Sequence, residues 1–91
     1  MLSLEECIQK KFLVFGLGIS GNATLSQLKK NKAIVECWDD NWKLREKIDK
    51  KYKVNKNWYK SDYDFIVISP GVNIYLHSKR SFFLKNKNKI M

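Results

Sequence analysis

The 91-residue sequence predicts an open, doubly wound α/β domain over 1–91, with a parallel sheet of about five strands and helices on both faces. Three observations predict it. Short, nearly continuous apolar runs alternate with amphipathic segments. A glycine-rich turn joins the first run to the first amphipathic segment. Each run stops abruptly at Gly, Asp or Ser-Pro-Gly, as a strand buried on both faces would.

Taken in order, Lys11-Phe12-Leu13-Val14-Phe15 is a β-prone run that ends at Gly16. From Asn22 to Lys30, the apolar residues Ala23, Leu25 and Leu28 fall on one helical face. Lys29, Lys30 and Lys32 crowd its C-terminal end, where cations suit the helix dipole. The second strand, Ala33 to Trp38, is closed by Asp39-Asp40. A second helix is expected from Asn41 to about Lys50, using Trp42, Leu44, Arg45 and Ile48, and Lys51 to Val54 reads as a short edge strand. Asp64-Phe65-Ile66-Val67-Ile68 is the most hydrophobic strand, ended by Ser69-Pro70-Gly71. Ile74 to about Lys85 reads as a helix, and Lys89-Ile90-Met91 as the opening of a fifth strand.

Composition narrows the function classes. Hydrophobic residues make up 44% and aromatics 13%, enough for a core. No apolar run is long enough to span a membrane, and no secretory leader pattern opens the chain, so a cytoplasmic protein without a membrane partner is expected. Cys7 and Cys37 stand alone, without metal-site spacing, and read as free thiols. No metal site is expected. The net charge of +9 raises nucleic acid as a partner. Only Arg45 and Arg80 are arginines, however, against sixteen lysines, and base and phosphate recognition draws on the planar guanidinium fork. The lysines read as a solvated surface, and no specific nucleic acid is expected.

The chemistry is concentrated in Gly16-Leu17-Gly18-Ile19-Ser20-Gly21, a G-x-G-x-x-G turn between a strand and a helix. The first glycine permits the turn, the second lets backbone N–H groups approach a diphosphate, and the third lets helix pack on strand. The helix start then meets the anion with free N–H groups and a favourable dipole. Asp39 lies eighteen residues beyond Gly21, where an acid faces a ribose or base. Each feature has a plainer reading: a tight turn for the glycines, and a helix N-cap for Asp39, a role Asp40 and Asn41 fill equally well. On these features alone a nicotinamide dinucleotide is the first candidate, and a nucleotide diphosphate the common denominator.

The loop Val14-Phe15-Gly16-Leu17-Gly18-Ile19-Ser20-Gly21, the acid at Asp39 and the later Ile68-Ser69-Pro70-Gly71-Val72 together resemble the Rossmann-like N-terminal domain of the Mur ligases of peptidoglycan synthesis, with the D-glutamate-adding members nearest. The likeness runs over nearly the whole chain but over only the first of that family's three domains. It implies a substrate, UDP-N-acetylmuramoyl-L-alanine, in place of a dinucleotide. Gly18, Ile19, Ser20 and Gly21 would meet the diphosphate, and Asp39 and Asp40 would face the uracil and ribose, with Ser69, Gly71 and Asn73 alongside. His77 fits a histidine often found just past the Ser-Pro-Gly motif, and by itself reads as a helix-start or surface residue. Asn73 departs from the Pro or small residue common in the family, and Asp40 and Asn41 stand where relatives can carry hydroxyl or basic residues.

The resemblance also implies an ATP- and Mg²⁺-dependent ligation that activates a carboxylate and joins it to D-glutamate. No G-K-[ST] segment occurs here, so ATP and Mg²⁺ are expected to belong to other domains and no catalytic residue is assigned. The chain by itself is expected to be a truncated, inactive substrate-binding unit. The alternatives are an NAD(P)-binding fragment and a small basic nucleic-acid-binding protein.

Overall fold

The computed structural model describes residues 3–91. Four strands, β1 (Lys11–Phe15), β2 (Ile34–Trp38), β3 (Lys53–Val54) and β4 (Phe65–Ile68), form one all-parallel sheet in the order β3-β2-β1-β4. The helices are α1 (Leu4–Cys7), α2 (Ile19–Lys30), α3 (Trp42–Glu46) and α4 (Arg80–Lys85), with 3₁₀ turns at Trp58–Lys60 and Lys87–Lys89. No helix among the described residues is long and apolar enough to cross a membrane.

The central strand explains the two-layer burial. Phe12 to Phe15 are all buried, but a strand's side chains alternate, so Phe12 and Val14 point one way and Leu13 and Phe15 the other. The first pair joins Leu25 and Leu28 of α2, together with Cys7, Cys37 and Ile48. The second pair joins Ile66, Trp58, Tyr63 and Phe83, which brings α4 and the first 3₁₀ turn onto the opposite face. Both faces of the sheet are therefore covered, and continuous apolarity in β1 is the sequence signature of that placement.

Four expectations are corrected by the chain's own hydrogen bonds. The sheet has four strands, not five, because Lys87–Lys89 coil. The Lys89 N–H donates to Asn86 O (2.8 Å), and the expected fifth strand is reduced to a single parallel bridge of Ile90 to Ile66, with the Met91 N–H donating to Ile66 O (2.9 Å). The helix expected from Ile74 begins only at Arg80. Before it, the Asn73 side chain accepts the Tyr75 N–H (3.0 Å), and His77 Nδ1 accepts the Lys79 N–H (2.9 Å). These local bonds offer the backbone an alternative to the helical ladder. The helix expected to reach Lys50 ends at Glu46, since Asp49 closes turns with the N–H groups of Lys51 and Tyr52. On α2, Ala23 is exposed, and Gly21, Leu25 and Leu28 form the buried stripe.

One charge lies inside. Glu36 on β2 is 5% exposed and is held by Lys11 Nζ (3.1 Å), Lys53 Nζ (3.5 Å), the Asn55 amide (2.7 Å) and the Tyr63 hydroxyl (3.0 Å). Burial raises its pKa, but the hydrogen bonds from Asn55, Lys11 and Tyr63 outweigh it, and the net pKa lies below the usual carboxylate value. In turn, burial and the Glu36 charge push the Cys37 thiol up to about 11.

Glu36→Ala takes the acceptor from the buried Tyr63 hydroxyl and from the Asn55 amide while Lys11 and Lys53 can turn to solvent, so it is expected to lower stability by about 2 kcal/mol at neutral pH. The folded-state pKa lies below the unfolded value. The contribution is thus complete above the ordinary glutamate range and is lost as pH falls through the lower folded value. Denaturant melts of the two proteins should converge in acid; a constant gap down to the lowest pH would refute the network. Cys7 and Cys37, both fully buried, should react with a thiol reagent at neutral pH only as fast as the chain opens.

Candidate functional site

The order β3-β2-β1-β4 places the point where strand succession reverses between β1 and β4, and ligands of such sheets bind outside the strand carboxyl ends there. The loops that follow β1, β2 and β4 carry the residues 16–21, 39–41 and 69–73. They emerge on this edge together.

The first loop is fixed by contacts too close for side chains. Gly16 has φ +104°, a conformation that favours glycine, and a Cβ there would lie 2.2 Å from Ser69 Oγ. A Cβ on Gly21 would lie 1.8 Å from the Gly16 carbonyl oxygen. The start of α2 is thereby pressed onto the end of β1, with Ser69 against the same glycine. The Ser69 N–H also donates to Phe15 O (2.9 Å). Gly18 is the opposite case: a Cβ there would meet nothing within 4 Å. It precedes α2 as an extended cap residue with no side-chain cap, so the N–H groups of Ile19, Ser20 and Gly21 come before the first helical bond, Asn22 N–H to Gly18 O (3.0 Å). Gly18, Ile19 and Ser20 are exposed, with Ile19 at 93%, and Gly21 is buried. The Asn22 amide ties the loop down by donating to Leu17 O (2.8 Å) and Gly18 O (3.0 Å).

The acid of the second loop is a clamp. Asp39 accepts the Leu17 N–H on one oxygen (2.7 Å) and the Asn41 N–H on the other (2.8 Å), joining the glycine loop to the end of β2. The cap of α3 is Asn41, whose side chain accepts the Lys43 N–H (3.0 Å). Asp40 accepts from Trp38 Nε1 (3.1 Å) and pairs with His77 Nε2 (2.7 Å), while its side chain stays 61% exposed to the site edge. His77 is not a surface residue: its side chain is 12% exposed, packed edge-on against Phe15, Trp58 and Phe83. Since Nδ1 accepts the Lys79 N–H, Nε2 is the protonated nitrogen that donates to Asp40.

The third loop turns at Ser69–Val72, closed by Val72 N–H to Ser69 O (3.1 Å). Gly71 and Asn73 are exposed, and residues 70–75 line a shallow hollow of about 390 Å³. A larger hollow, about 480 Å³, lies elsewhere, between the first 3₁₀ turn and α4. It is less suited to the candidate chemistry of this edge because it contains none of the glycine loop's N–H groups.

Sequence reasoning missed two contributors. Arg45 stacks on Trp38, 4.2 Å from the ring centroid, and its Nη1 donates to Asp39 O (2.8 Å) and Asp40 O (3.2 Å), fixing the turn that carries both acids. Its rarity among sixteen lysines was the available signal. Asn22 had none, because it reads as an ordinary first-turn helix residue.

No protein-family model matches the chain, and no solved structure matches it. Over 77 residues it is 36% identical to a UDP-N-acetylmuramoylalanine–D-glutamate ligase of Bartonella henselae, an alignment covering 79% of this chain and 16% of that ligase. The chain therefore spans about a sixth of the length of the curated relative it matches.

The glycines should separate packing from binding. Gly21→Ala forces a methyl into a backbone carbonyl and is expected to cost about 3 kcal/mol or more of stability. Gly18→Ala meets open space and should cost less than about 1 kcal/mol, since alanine is only a poorer cap. Thermal or denaturant melts of both variants check the contrast. Equal losses would show that the loop is not built as described.

Proposed function

We propose that this chain binds UDP-N-acetylmuramoyl-L-alanine, as the nucleotide-holding region of an ATP-dependent ligase that adds D-glutamate in peptidoglycan synthesis. The observation that carries the reading is the open space at Gly18 in front of the uncapped first turn of a twelve-residue helix, at the sheet's reversal point. Similarity to the D-glutamate ligase supports the choice of a UDP-linked substrate over a dinucleotide.

In this reading the diphosphate lies over Gly18 and accepts from the N–H groups of Ile19, Ser20 and Gly21, with the Ser20 hydroxyl as a further donor. The uracil and ribose lie toward Asp39, Asp40, Ser69, Gly71 and Asn73. Asp39 holds the loop and the β2 end in register, and the exposed Asp40 carboxylate retains acceptor sites beyond its two bonds. Exposed Ile19, Tyr75 and Leu76 border the same edge and can cover apolar parts of a long substrate. ATP and Mg²⁺ supply activation of the carboxylate in such a ligase. The residues of this chain bind and orient the nucleotide end, and no catalytic role is proposed for any of them. The proposed setting is the cytoplasm, with neither nucleic acid nor membrane as partner.

Calorimetric titration with UDP-N-acetylmuramoyl-L-alanine up to millimolar concentration tests the proposal. Saturable binding is expected, displaced by UDP and weakened about tenfold or more by Gly18→Ala, whose methyl occupies the approach to the diphosphate. Binding of NADH with no response to the UDP compound would overturn it.

A further inference from the structure

The hollow between Trp58–Lys60 and α4 shares no lining residue with the glycine loop, the aspartates or the Ser69–Asn73 turn. Its volume of about 480 Å³ lies in the range of small-molecule sites. Its lining is unusual in charge. Lys60, Lys79 and Lys85 converge on it, and among the described residues none is paired with a carboxylate, although Asp62 sits on the same rim.

Two of these ammonium groups are held against one ring. Lys79 Nζ lies 3.9 Å from the centroid of Tyr59, reaching across from another segment, and Lys60 Nζ lies 5.8 Å from the same centroid. A tyrosine face is a weak electrostatic partner at an exposed site, and two cations gathered on it repel each other. The lysines over Trp42 and Tyr52 are the immediate sequence neighbours of those rings, as Lys60 is of Tyr59, whereas Lys79 arrives from a separate segment; Lys11 and Lys53 have Glu36. Around this hollow, unpaired cations from separate segments share one lining, with the Ser81 hydroxyl beside them.

We propose that this hollow binds the phosphate or diphosphate group of a small molecule, as a site separate from the glycine loop. A multiply charged phosphate would bridge Lys60, Lys79 and Lys85 through charge-assisted hydrogen bonds and remove their mutual repulsion. The proposal does not depend on the reading of the glycine loop.

Amide-resolved NMR titration of the full chain with pyrophosphate, and separately with inorganic phosphate, tests it. Saturable shifts are expected at residues 59–62 and 78–86, with affinity lowered about tenfold by Lys60→Gln combined with Lys79→Gln and lowered also by Lys85→Gln, which lies on an exposed helix surface. Should the double variant lose its dispersed spectrum, Lys85→Gln alone decides. Shifts confined to residues 16–21, unsaturable shifts spread over lysines throughout the surface, or affinity unchanged in the folded variants would overturn the proposal. So would binding of a single-stranded oligonucleotide at these residues without any response to pyrophosphate, which would make the hollow a polynucleotide contact.

Discussion

Where β1 ends, three segments of chain come closer together than any side chain permits, and the rest of the edge is arranged around that closeness. Gly21 sits under the Gly16 carbonyl, and Gly16 sits against the Ser69 side chain. This brings α2 down onto β1 and fixes the end of β4 beside both. It also orients the first turn of α2 outward over Gly18, the glycine of the loop with free space before it. The geometry proposed to receive an anion is thus a consequence of packing. The same contacts that bury Leu25 and Leu28 on one face of the sheet present the uncapped N–H groups at its edge.

The end of β2 is fastened differently, by polar groups rooted in the core. Arg45 lies on the Trp38 ring and holds the carbonyls of Asp39 and Asp40, so that one carboxylate faces the glycine loop and the other faces His77. His77 is itself wedged between Phe15, Trp58 and Phe83. A displacement of the aromatic cluster on the second face would therefore reach Asp40 through a single hydrogen bond. The site edge and that cluster are thus joined at His77.

Much of this was legible because it depends on local rules. Burial on both faces makes β1 continuously apolar, and a strand-to-helix turn without room for Cβ atoms demands glycine, so strand positions, loop and α2 could be read directly. The segment between the Ser-Pro-Gly turn and α4 could not. Ile74 to Lys79 has helical composition, but Asn73 and His77 accept nearby backbone N–H groups and hold turns instead. Those bonds depend on His77 being buried among aromatics distant in sequence. Trp58, 2% exposed and stacked with five aromatic neighbours, was invisible for the same reason, since its partners come from β1, α4 and the turn between. α1 escaped because four residues carry no periodicity, although its Ser3–Glu6 capping box is a sequence pattern. Asp39 was placed correctly at the strand end, but its bonds to Leu17 and Asn41 depend on how closely the loops approach.

The charge of the chain and the candidate diphosphate site prove to be separate systems. Neither 16–22 nor 69–73 contains a basic residue, so a diphosphate there would meet N–H dipoles and a helix end carrying about half a positive charge. Such a site selects by reach: the anion must come close enough to the backbone for short-range dipoles to matter, and the missing side chain at Gly18 allows that approach. Lysines act over longer distances and with less geometric discrimination, raising the arrival rate of any anion without choosing among them. The +9 surface can therefore steer a charged substrate toward the edge, but selectivity must come from the groups that border the loop. Asp40 and Asn73 are exposed there, the first on a turn held by the Arg45 guanidinium and the second on a turn its own side chain closes, and in the proposed binding mode they are the groups that would distinguish a base or sugar.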